Sequence, residues 1–130
     1  MTRTASAVDL APLFAALADP TRLRLLNLIA GREVCVCYLV EILRLSQPKI
    51  SRHLAYLRRA GIVAARREGK WMHYRLALPG HPAGKAILGS VLDSLREDAR
   101  LQADLDRLSH ACCQPRRFTA LERAPLPATV

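Results

Sequence analysis

Apolar residues recur at helical spacing near the start of the chain and predict two helices. The first, over 7–18, places four apolar residues on one face: Leu10, Leu13, Phe14 and Leu17. A second helix is predicted from Pro20 to about residue 30, because Asp19 is a favourable N-cap and proline is tolerated at the first helical position. Gly31 is expected to end it, since glycine readily adopts the left-handed conformation found after a helix.

A short helix, a tight turn and a longer helix are predicted next. The pattern favours a third helix over 35–43, a turn at 44–45, and a fourth helix from an N-cap at Ser46 to about residue 60. The fourth helix has three apolar residues on its inward face: Ile50, Leu54 and Leu57. Two such helices joined by a tight turn are typical of a helix-turn-helix.

Two short segments after the fourth helix, 62–67 and 71–76, predict a β-hairpin. The connection Glu68-Gly69-Lys70 contains a glycine that permits the positive φ of a tight hairpin turn. A basic hairpin directly after a helix-turn-helix is typical of a wing. We therefore predict a mainly α fold with a β-hairpin wing, that is, a winged helix-turn-helix.

The last third of the chain predicts one long helix and a tail. After the break at 79–82, a single helix is expected over 83–108, with a continuous apolar stripe. A stripe this long exceeds what so small a core can bury, so it must pack against another surface. A second copy of the chain is the simplest partner, which predicts a homodimer formed through the terminal helices. The domain is assigned to 1–110, and 111–130 is expected to be a flexible tail.

Basic charge is concentrated in the segment predicted to contain the helix-turn-helix and the wing. The formal net charge is +9, and nine basic residues against the single acid Glu68 lie between Arg44 and Arg75. Such a distribution indicates an anionic partner, and double-stranded DNA suits this motif better than a membrane surface. No apolar run is long enough to span a bilayer, so we expect a cytoplasmic protein without membrane contact.

The candidate DNA-binding residues lie outside the apolar stripe of the fourth helix and on the wing. On the helix they are Ser46, Gln47, Lys49, Ser51, Arg52 and His53, and on the wing they are Arg66, Arg67 and Lys70. Arginine and lysine bind guanine edges or phosphates, glutamine pairs with adenine, and serine donates to phosphate. For His53, a DNA contact and a packed structural role are both open.

Four cysteines, Cys35, Cys37, Cys112 and Cys113, form two clusters whose spacing suits no familiar disulfide framework. Clustered thiols in a reducing compartment bind metals or sense redox state. The first pair is predicted at a helix N-terminus, where the helix dipole favours thiolates. Residues two apart on a helix point about 200° from each other, so we expect that sharing one ion requires the first turn to unwind.

Three segments resemble the ArsR/SmtB family of metal-responsive repressors. They are Leu-Ala-Asp-Pro-Thr-Arg-Leu at 17–23, Glu-Val-Cys-Val-Cys at 33–37, and Ser-Gln-Pro-Lys-Ile-Ser-Arg-His-Leu at 46–54. The similarity spans roughly residues 8 to 108, and Glu-x-Cys-x-Cys is similar to the arsenite-sensing branch. The resemblance implies a homodimer that represses its own resistance operon. It also implies release of operator DNA when As(III) or Sb(III) binds the cysteines, with no organic cofactor.

The sequence departs from that branch at one ligand position and leaves alternatives open. Val40 stands near where a third cysteine is often found, so Cys112 and Cys113 are candidates for the third thiolate, for a separate site, or for no role. Zinc-sensing members carry a histidine where Leu95 stands. A redox or persulfide sensor and a cadmium or lead sensor remain alternatives. A thiol enzyme or carrier is disfavoured, because the sequence places no histidine or carboxylate beside the thiols.

Overall fold

The fold is described from a computed structural model, which covers residues 6–113, 121 and 123–129. Its elements in chain order are α1 (Ala11–Leu17), α2 (Pro20–Ile29), β1 (Arg32–Cys35), α3 (Val36–Leu43), α4 (Gln47–Arg59), β2 (Val63–Glu68), β3 (Trp71–Leu76), α5 (Pro82–Leu95), α6 (Ala99–Cys113) and β4 (Ala128–Thr129). The four strands form one sheet in the order β2-β3-β1-β4. No helix in the described part of the chain combines the length and apolar character needed to cross a bilayer.

The local signals at the start of the chain produce the predicted helices. A 3-10 turn over Ala7–Leu10, capped by Ser6, leads into α1. The Asp19 carboxylate accepts a 3.0 Å hydrogen bond from the Arg22 backbone N–H and caps α2. Gly31 follows α2 with φ +75°, as expected for a residue that reverses the chain after a helix.

The helix-turn-helix and the wing are confirmed. The turn between α3 and α4 contains Arg44 in the left-handed region with φ 55°, and Ser46 caps α4 through the Lys49 backbone N–H. Strands β2 and β3 pair antiparallel, and their last pair before the turn is Glu68 with Trp71. Gly69 supplies the positive φ of 58° that this two-residue turn requires.

The start of the third helix differs from the prediction, because the first cysteine belongs to a strand. Strand β1 pairs with β3, with Val34 opposite Tyr74 and Cys35 opposite His73, and α3 begins only at Val36. Val34 and Cys35 are fully buried in this pairing. The prediction failed because burial against β3 outweighs the local helical pattern in so short a segment.

The single long helix over 83–108 is wrong, since the structure has two helices in its place. α5 ends at Leu95 and α6 begins at Ala99. Asp98 stops one helix and starts the next: its Oδ1 accepts hydrogen bonds from the backbone N–H groups of Arg100 (2.9 Å) and Leu101 (3.3 Å). This capping by an aspartate was a readable signal that the apolar periodicity concealed.

Part of the segment expected to be a flexible tail is packed in the structure. α6 continues to Cys113, beyond the predicted boundary at 110, and Leu121 is buried. Strand β4 pairs with the start of β1, with Arg32 opposite Thr129. Residues 114–120, 122 and 130 lie outside the described residues, and the division into a domain and a tail stays a prediction.

A buried carboxylate joins α2 to α6. The Asp104 side chain is fully buried and accepts two hydrogen bonds from Arg24, 2.8 Å from Nε and 2.9 Å from Nη2. Arg107 also bonds to Asp104 from within α6. On the same two helices, Asn27 donates from its side-chain amide to the Leu101 carbonyl at 3.0 Å. These bonds position α6 against the helix that precedes β1.

We expect Asp104→Ala to lower the free energy of unfolding by roughly 2–3 kcal/mol, because it leaves a partly buried guanidinium without its partner. The value lies below that for a fully buried pair since the Arg24 side chain is 35% exposed. Denaturant unfolding of Asp104→Ala measures the loss, and Asp106→Ala, at an exposed position of the same helix, is the control. Equal effects of the two substitutions would contradict this role.

Candidate DNA interface and thiol site

The outward side of α4 is basic and polar, while its inward side belongs to the core. Ile50, Leu54 and Leu57 are fully buried, as predicted. The predicted residues Ser46, Gln47, Lys49 and Arg52 are exposed, and Ser51 is half-buried beside them. No acidic residue occurs in α4. This helix therefore presents an uninterrupted set of donors suited to phosphates and base edges.

Arg22 of α2 contributes to this surface, although the sequence analysis did not identify it. Its guanidinium stacks on the Tyr56 ring of α4 with 4.2 Å between Cζ and the ring centroid. It is fixed from behind, since Nε donates to the Ala16 carbonyl at 2.8 Å and Nη2 to the Ala15 carbonyl at 3.0 Å. Local sequence carries no signal for this pair, because the two residues meet only in the folded chain.

His53 lies at the junction of α2 and α4. Its Nδ1 is 3.4 Å from Arg22 Nη1 and 3.9 Å from Asp19 Oδ1. The ring is half-buried, and these neighbours belong to the protein's own N-terminal helices. The structure thus gives His53 a packing role, and its predicted contact with DNA stays a prediction.

The three predicted wing residues are exposed, but one of them is held within the molecule. Arg66 binds Glu33 of β1 at 2.6 Å from Nη2 and 3.1 Å from Nε, both to Oε1. This hydrogen bond holds the pKa of Glu33 below its ordinary value even though burial opposes ionisation. The Lys70 ammonium lies 4.9 Å from the centroid of the Trp71 ring. Arg67 is exposed, so the wing offers Arg67 and Lys70 at its surface.

The thiols of Cys35 and Cys37 are already in contact. Their Sγ atoms are 3.3 Å apart, with Cys35 fully buried and Cys37 half-buried. Cys35 has extended backbone angles, φ −66° and ψ 143°, whereas Cys37 lies in the first turn of α3. The expectation that the helix must unwind before both sulfurs reach one atom is therefore wrong. It assumed that both cysteines were helical.

The expected lowering of the thiol pKa is also wrong for Cys37. Burial, followed by the hydrogen bond with Cys35, raises the pKa of Cys37 to about 12. The nearby charge of Lys70 acts in the opposite direction but does not overcome these causes. At neutral pH the Cys37 side chain is consequently a protonated thiol, because desolvation outweighs the field of the helix N-terminus.

Cys112 of α6 lies in the neighbourhood of this pair. α6 packs along α3, and the Cys112 side chain is half-buried on it. Burial raises the pKa of Tyr38, and the charges of Cys112, Cys35 and Cys37 raise it further. Within residues 6–113, 121 and 123–129, however, no three His, Cys, Asp or Glu side chains are gathered closely enough to hold a metal ion. Two thiols are thus in contact, and Cys112 does not form a three-ligand cluster with them.

Cys113 is the last residue of α6, and its side chain lies outside the described residues. Its predicted part in a site therefore stays a prediction.

Comparison with known proteins agrees with the fold. Residues 19–65 match the family model of the bacterial regulatory protein, arsR family. The chain is 45% identical over 103 residues to the arsenical resistance operon repressor of Escherichia coli, covering 78% of this chain and 86% of that protein. It is 51% identical over 86 residues to the arsenic resistance transcriptional regulator ArsR1 of Pseudomonas putida, covering 65% and 67%. The solved structure of HlyU from Vibrio cholerae superposes with a TM-score of 0.57 at 33% identity, covering 65% and 89%.

We expect Lys49→Ala to reduce the salt dependence of DNA binding. Each phosphate contact that forms on binding releases about one counterion from the DNA, and the variant forms one contact fewer. Fluorescence anisotropy of a labelled duplex, measured across a salt series, should show a slope of log K against log salt that is smaller by about one. Lys85→Ala, at an exposed position of α5, is the matched control and should leave the slope unchanged. Equal slopes for the two variants would place the DNA elsewhere.

Proposed function

The chain belongs to the ArsR family of bacterial regulatory proteins, and we propose that it represses arsenical resistance genes and releases operator DNA when As(III) or Sb(III) binds Cys35 and Cys37. The observation that carries this proposal is the 3.3 Å contact between the two thiols, at the junction of the wing sheet with the helix-turn-helix. The relatives in Escherichia coli and Pseudomonas putida are named for resistance to arsenic, which supports the same inducer class.

The distance between the sulfurs suits neighbouring ligands of one soft atom. With a metal–sulfur bond of about 2.3 Å, as in zinc thiolates, two sulfurs 3.3 Å apart subtend an angle of roughly 90° at the bound atom. Trivalent arsenic and antimony prefer such a pyramid of thiolates, because they are soft and form few bonds. The pair thus offers two of the three positions without any change in the backbone.

The protonation state of Cys37 favours a trivalent oxyacid over a divalent cation. Arsenous acid is neutral, and each thiol that replaces one of its hydroxyl groups releases one water, so two thiols give a dithiolate with one remaining hydroxyl and two waters. Cadmium or lead instead displaces two protons from two thiols. Because burial holds the proton on Cys37, the cations bear a cost that arsenous acid avoids. This supports arsenite over the cadmium and lead alternative.

A redox or persulfide sensor is the second candidate, and the same sulfur contact favours it. Two thiols 3.3 Å apart need little movement to join when an oxidant accepts two electrons and two protons. The protonated state of Cys37 argues against it, because thiolates, not thiols, react with oxidants and persulfides. We therefore place it second.

Release of DNA is proposed to follow from completion of the site. A third thiolate from Cys112 would draw the end of α6 toward β1 and α3, and α3 packs directly on the DNA-reading helix α4. β1 is also joined to the wing through Glu33 and Arg66, whose side chains lie 2.6 Å apart. A shift of β1 and α3 would therefore disturb both predicted DNA-binding elements together.

We further propose that the repressor acts as a cytoplasmic homodimer on double-stranded operator DNA. The 3-10 turn before α1 exposes Val8, which is 75% accessible, and α1 itself exposes Phe14, which is 53% accessible. Covering them with a second copy is favourable, because apolar surface leaves water. The terminal helices thus remain the proposed interface, although α5 and α6 replace the single helix predicted for it.

We expect Cys35→Ser and Cys37→Ser to bind operator DNA like the wild type but not to release it with arsenite, since a serine oxygen replaces a soft ligand. Cys112→Ser should release DNA only at arsenite concentrations about tenfold higher, because the third position is then filled by a weaker ligand. Anisotropy of an operator duplex under an arsenite titration measures all three. Release of DNA from Cys35→Ser at wild-type arsenite concentrations would refute the proposed site.

We expect arsenite binding at pH 7 to release almost no protons, whereas binding of Cd²⁺ should release about two. The cause is that neutral arsenous acid takes up thiol hydrogens as water. Calorimetric titrations in buffers of different ionisation enthalpy count these protons directly. Uptake of about two protons with arsenite, together with no release with Cd²⁺, would show that the thiols are ionised before they bind and would contradict this account.

A further inference from the structure

The guanidinium of Arg22 is held in one position beside α4 by contacts on several sides. Nε and Nη2 donate to the carbonyls of Ala16 and Ala15, at 2.8 Å and 3.0 Å. Nη1 lies 3.4 Å from His53 Nδ1, and Cζ lies 4.2 Å from the centroid of the Tyr56 ring. The side chain is half-buried, so it is already ordered and would lose little freedom on binding a ligand.

These contacts leave part of the guanidinium free to donate. An arginine has five N–H groups in one planar fork, one on Nε and two on each terminal nitrogen. Among the described residues, Nη1 and Nη2 of Arg22 have one hydrogen-bond neighbour each, so one N–H group on each nitrogen remains available. Two donors in the plane of a fixed positive charge suit the oxygens of a phosphate.

A cleft of about 380 Å³ opens beside the stacked pair and is lined by positive charge. Its lining contains four basic side chains: Arg22, Lys49, Arg52 and Arg59. None of the described residues that line it is acidic, and the nearby Asp19 carboxylate is engaged in capping α2. A concave surface of one sign of charge attracts anions and raises their local concentration.

Four of the lining residues form one row along α4: Lys49, Arg52, Tyr56 and Arg59. They are spaced by three, four and three residues, so they share one side of the helix, and all four are exposed. At 1.5 Å per residue the row extends over roughly 15 Å. The phosphates of one DNA strand follow each other at about 3.4 Å along the duplex axis, so the row is long enough to lie beside several of them.

We propose that Arg22, stacked on Tyr56, binds a backbone phosphate of operator DNA and that this row of α4 follows the same strand. The proposal rests on the proposed function, because its ligand is the DNA that the repressor binds. It gives a residue of α2, outside the helix-turn-helix, a direct part in affinity. Gln47 and Ser51 lie on the other side of α4 and are left to contact base edges.

A purely structural role for Arg22 makes a different prediction. Its bonds to Ala15 and Ala16 satisfy carbonyls in the last turn of α1, which have no partner within that helix. If this were its whole role, replacing Arg22 would lower stability but leave the salt dependence of DNA binding by the folded protein unchanged. A phosphate contact changes that salt dependence and contributes equally at every sequence.

The first test measures DNA binding by fluorescence anisotropy across a salt series, with two labelled probes. One is a duplex from the promoter of the protein's own operon, and the other is a scrambled duplex of the same composition. Arg22→Ala should weaken binding to both about tenfold and reduce the slope of log K against log salt, because one charge-assisted phosphate contact is lost. Wild-type affinity in folded Arg22→Ala, or a loss confined to the promoter duplex, would overturn the proposal.

Arg24→Ala is the matched control for this test. It removes the same charge from the same helix, but its side chain bonds to Asp104 of α6 instead of facing the cleft. It should lower the free energy of unfolding and leave the salt slope unchanged. A slope reduced as much by Arg24→Ala as by Arg22→Ala would overturn the proposal, because net charge alone would then explain the effect.

A second pair of variants leaves Arg22 and its bonds to α1 in place, and so does not depend on the folding of Arg22→Ala. Tyr56→Leu removes the ring on which the guanidinium stacks, at an exposed position. Tyr56→Phe keeps that ring and should bind both duplexes at least about threefold more tightly than Tyr56→Leu. Equal affinities of the two variants would overturn the role given to the stacked pair.

The most direct test neutralises single phosphates of the promoter duplex by replacing each in turn with a methylphosphonate. At the phosphate that Arg22 contacts, the replacement should weaken binding of the wild type but not weaken Arg22→Ala further, because that contact is already absent. Identical effects on the two proteins at every position would overturn the proposal. The proposed function fails separately if the wild type does not prefer the promoter duplex, whereas the contribution of Arg22 is still measured on the scrambled one.

Discussion

The pairing of β1 with β3 is the interaction on which both candidate sites depend. Because Cys35 is extended opposite His73, its sulfur lies 3.3 Å from that of Cys37 instead of on the opposite side of a helix. The same strand carries Glu33, whose carboxylate holds Arg66 of the wing. One short strand thus places the thiols next to α3 and joins them to the wing. Coupling between inducer and DNA needs such a shared element, since a ligand acts only through contacts that differ between two states.

Sequence alone was sufficient where structure is set by neighbouring residues. Asp19 and Ser46 cap their helices and Gly69 makes the hairpin turn, so the helix-turn-helix and the wing were predictable. β1 was not, because four residues carry too little periodicity and its pairing partner is distant in the chain. The break between α5 and α6 was not predicted, because the apolar stripe continues across it. The helix-capping residue Asp98 was the local signal for this break.

The two candidate sites were likewise predictable only in part. The spacing of Cys35 and Cys37 indicated a thiol site, and the basic residues of α4 indicated a DNA-reading surface. The chemistry of the thiols was not predictable, because the raised pKa of Cys37 follows from burial that only the folded chain creates. The stacking of Arg22 on Tyr56 was not predictable either, because these two residues lie far apart in the sequence and meet only in the folded chain.

The central claim is that the thiols are arranged in advance, so that the inducer binds without unwinding α3. A crystal structure of the arsenite-loaded protein tests it most directly. The account predicts arsenic bonded to Cys35 and Cys37 with α3 still beginning at Val36 and β1 still paired with β3. An unwound first turn, or arsenic bound elsewhere in the chain, would contradict it.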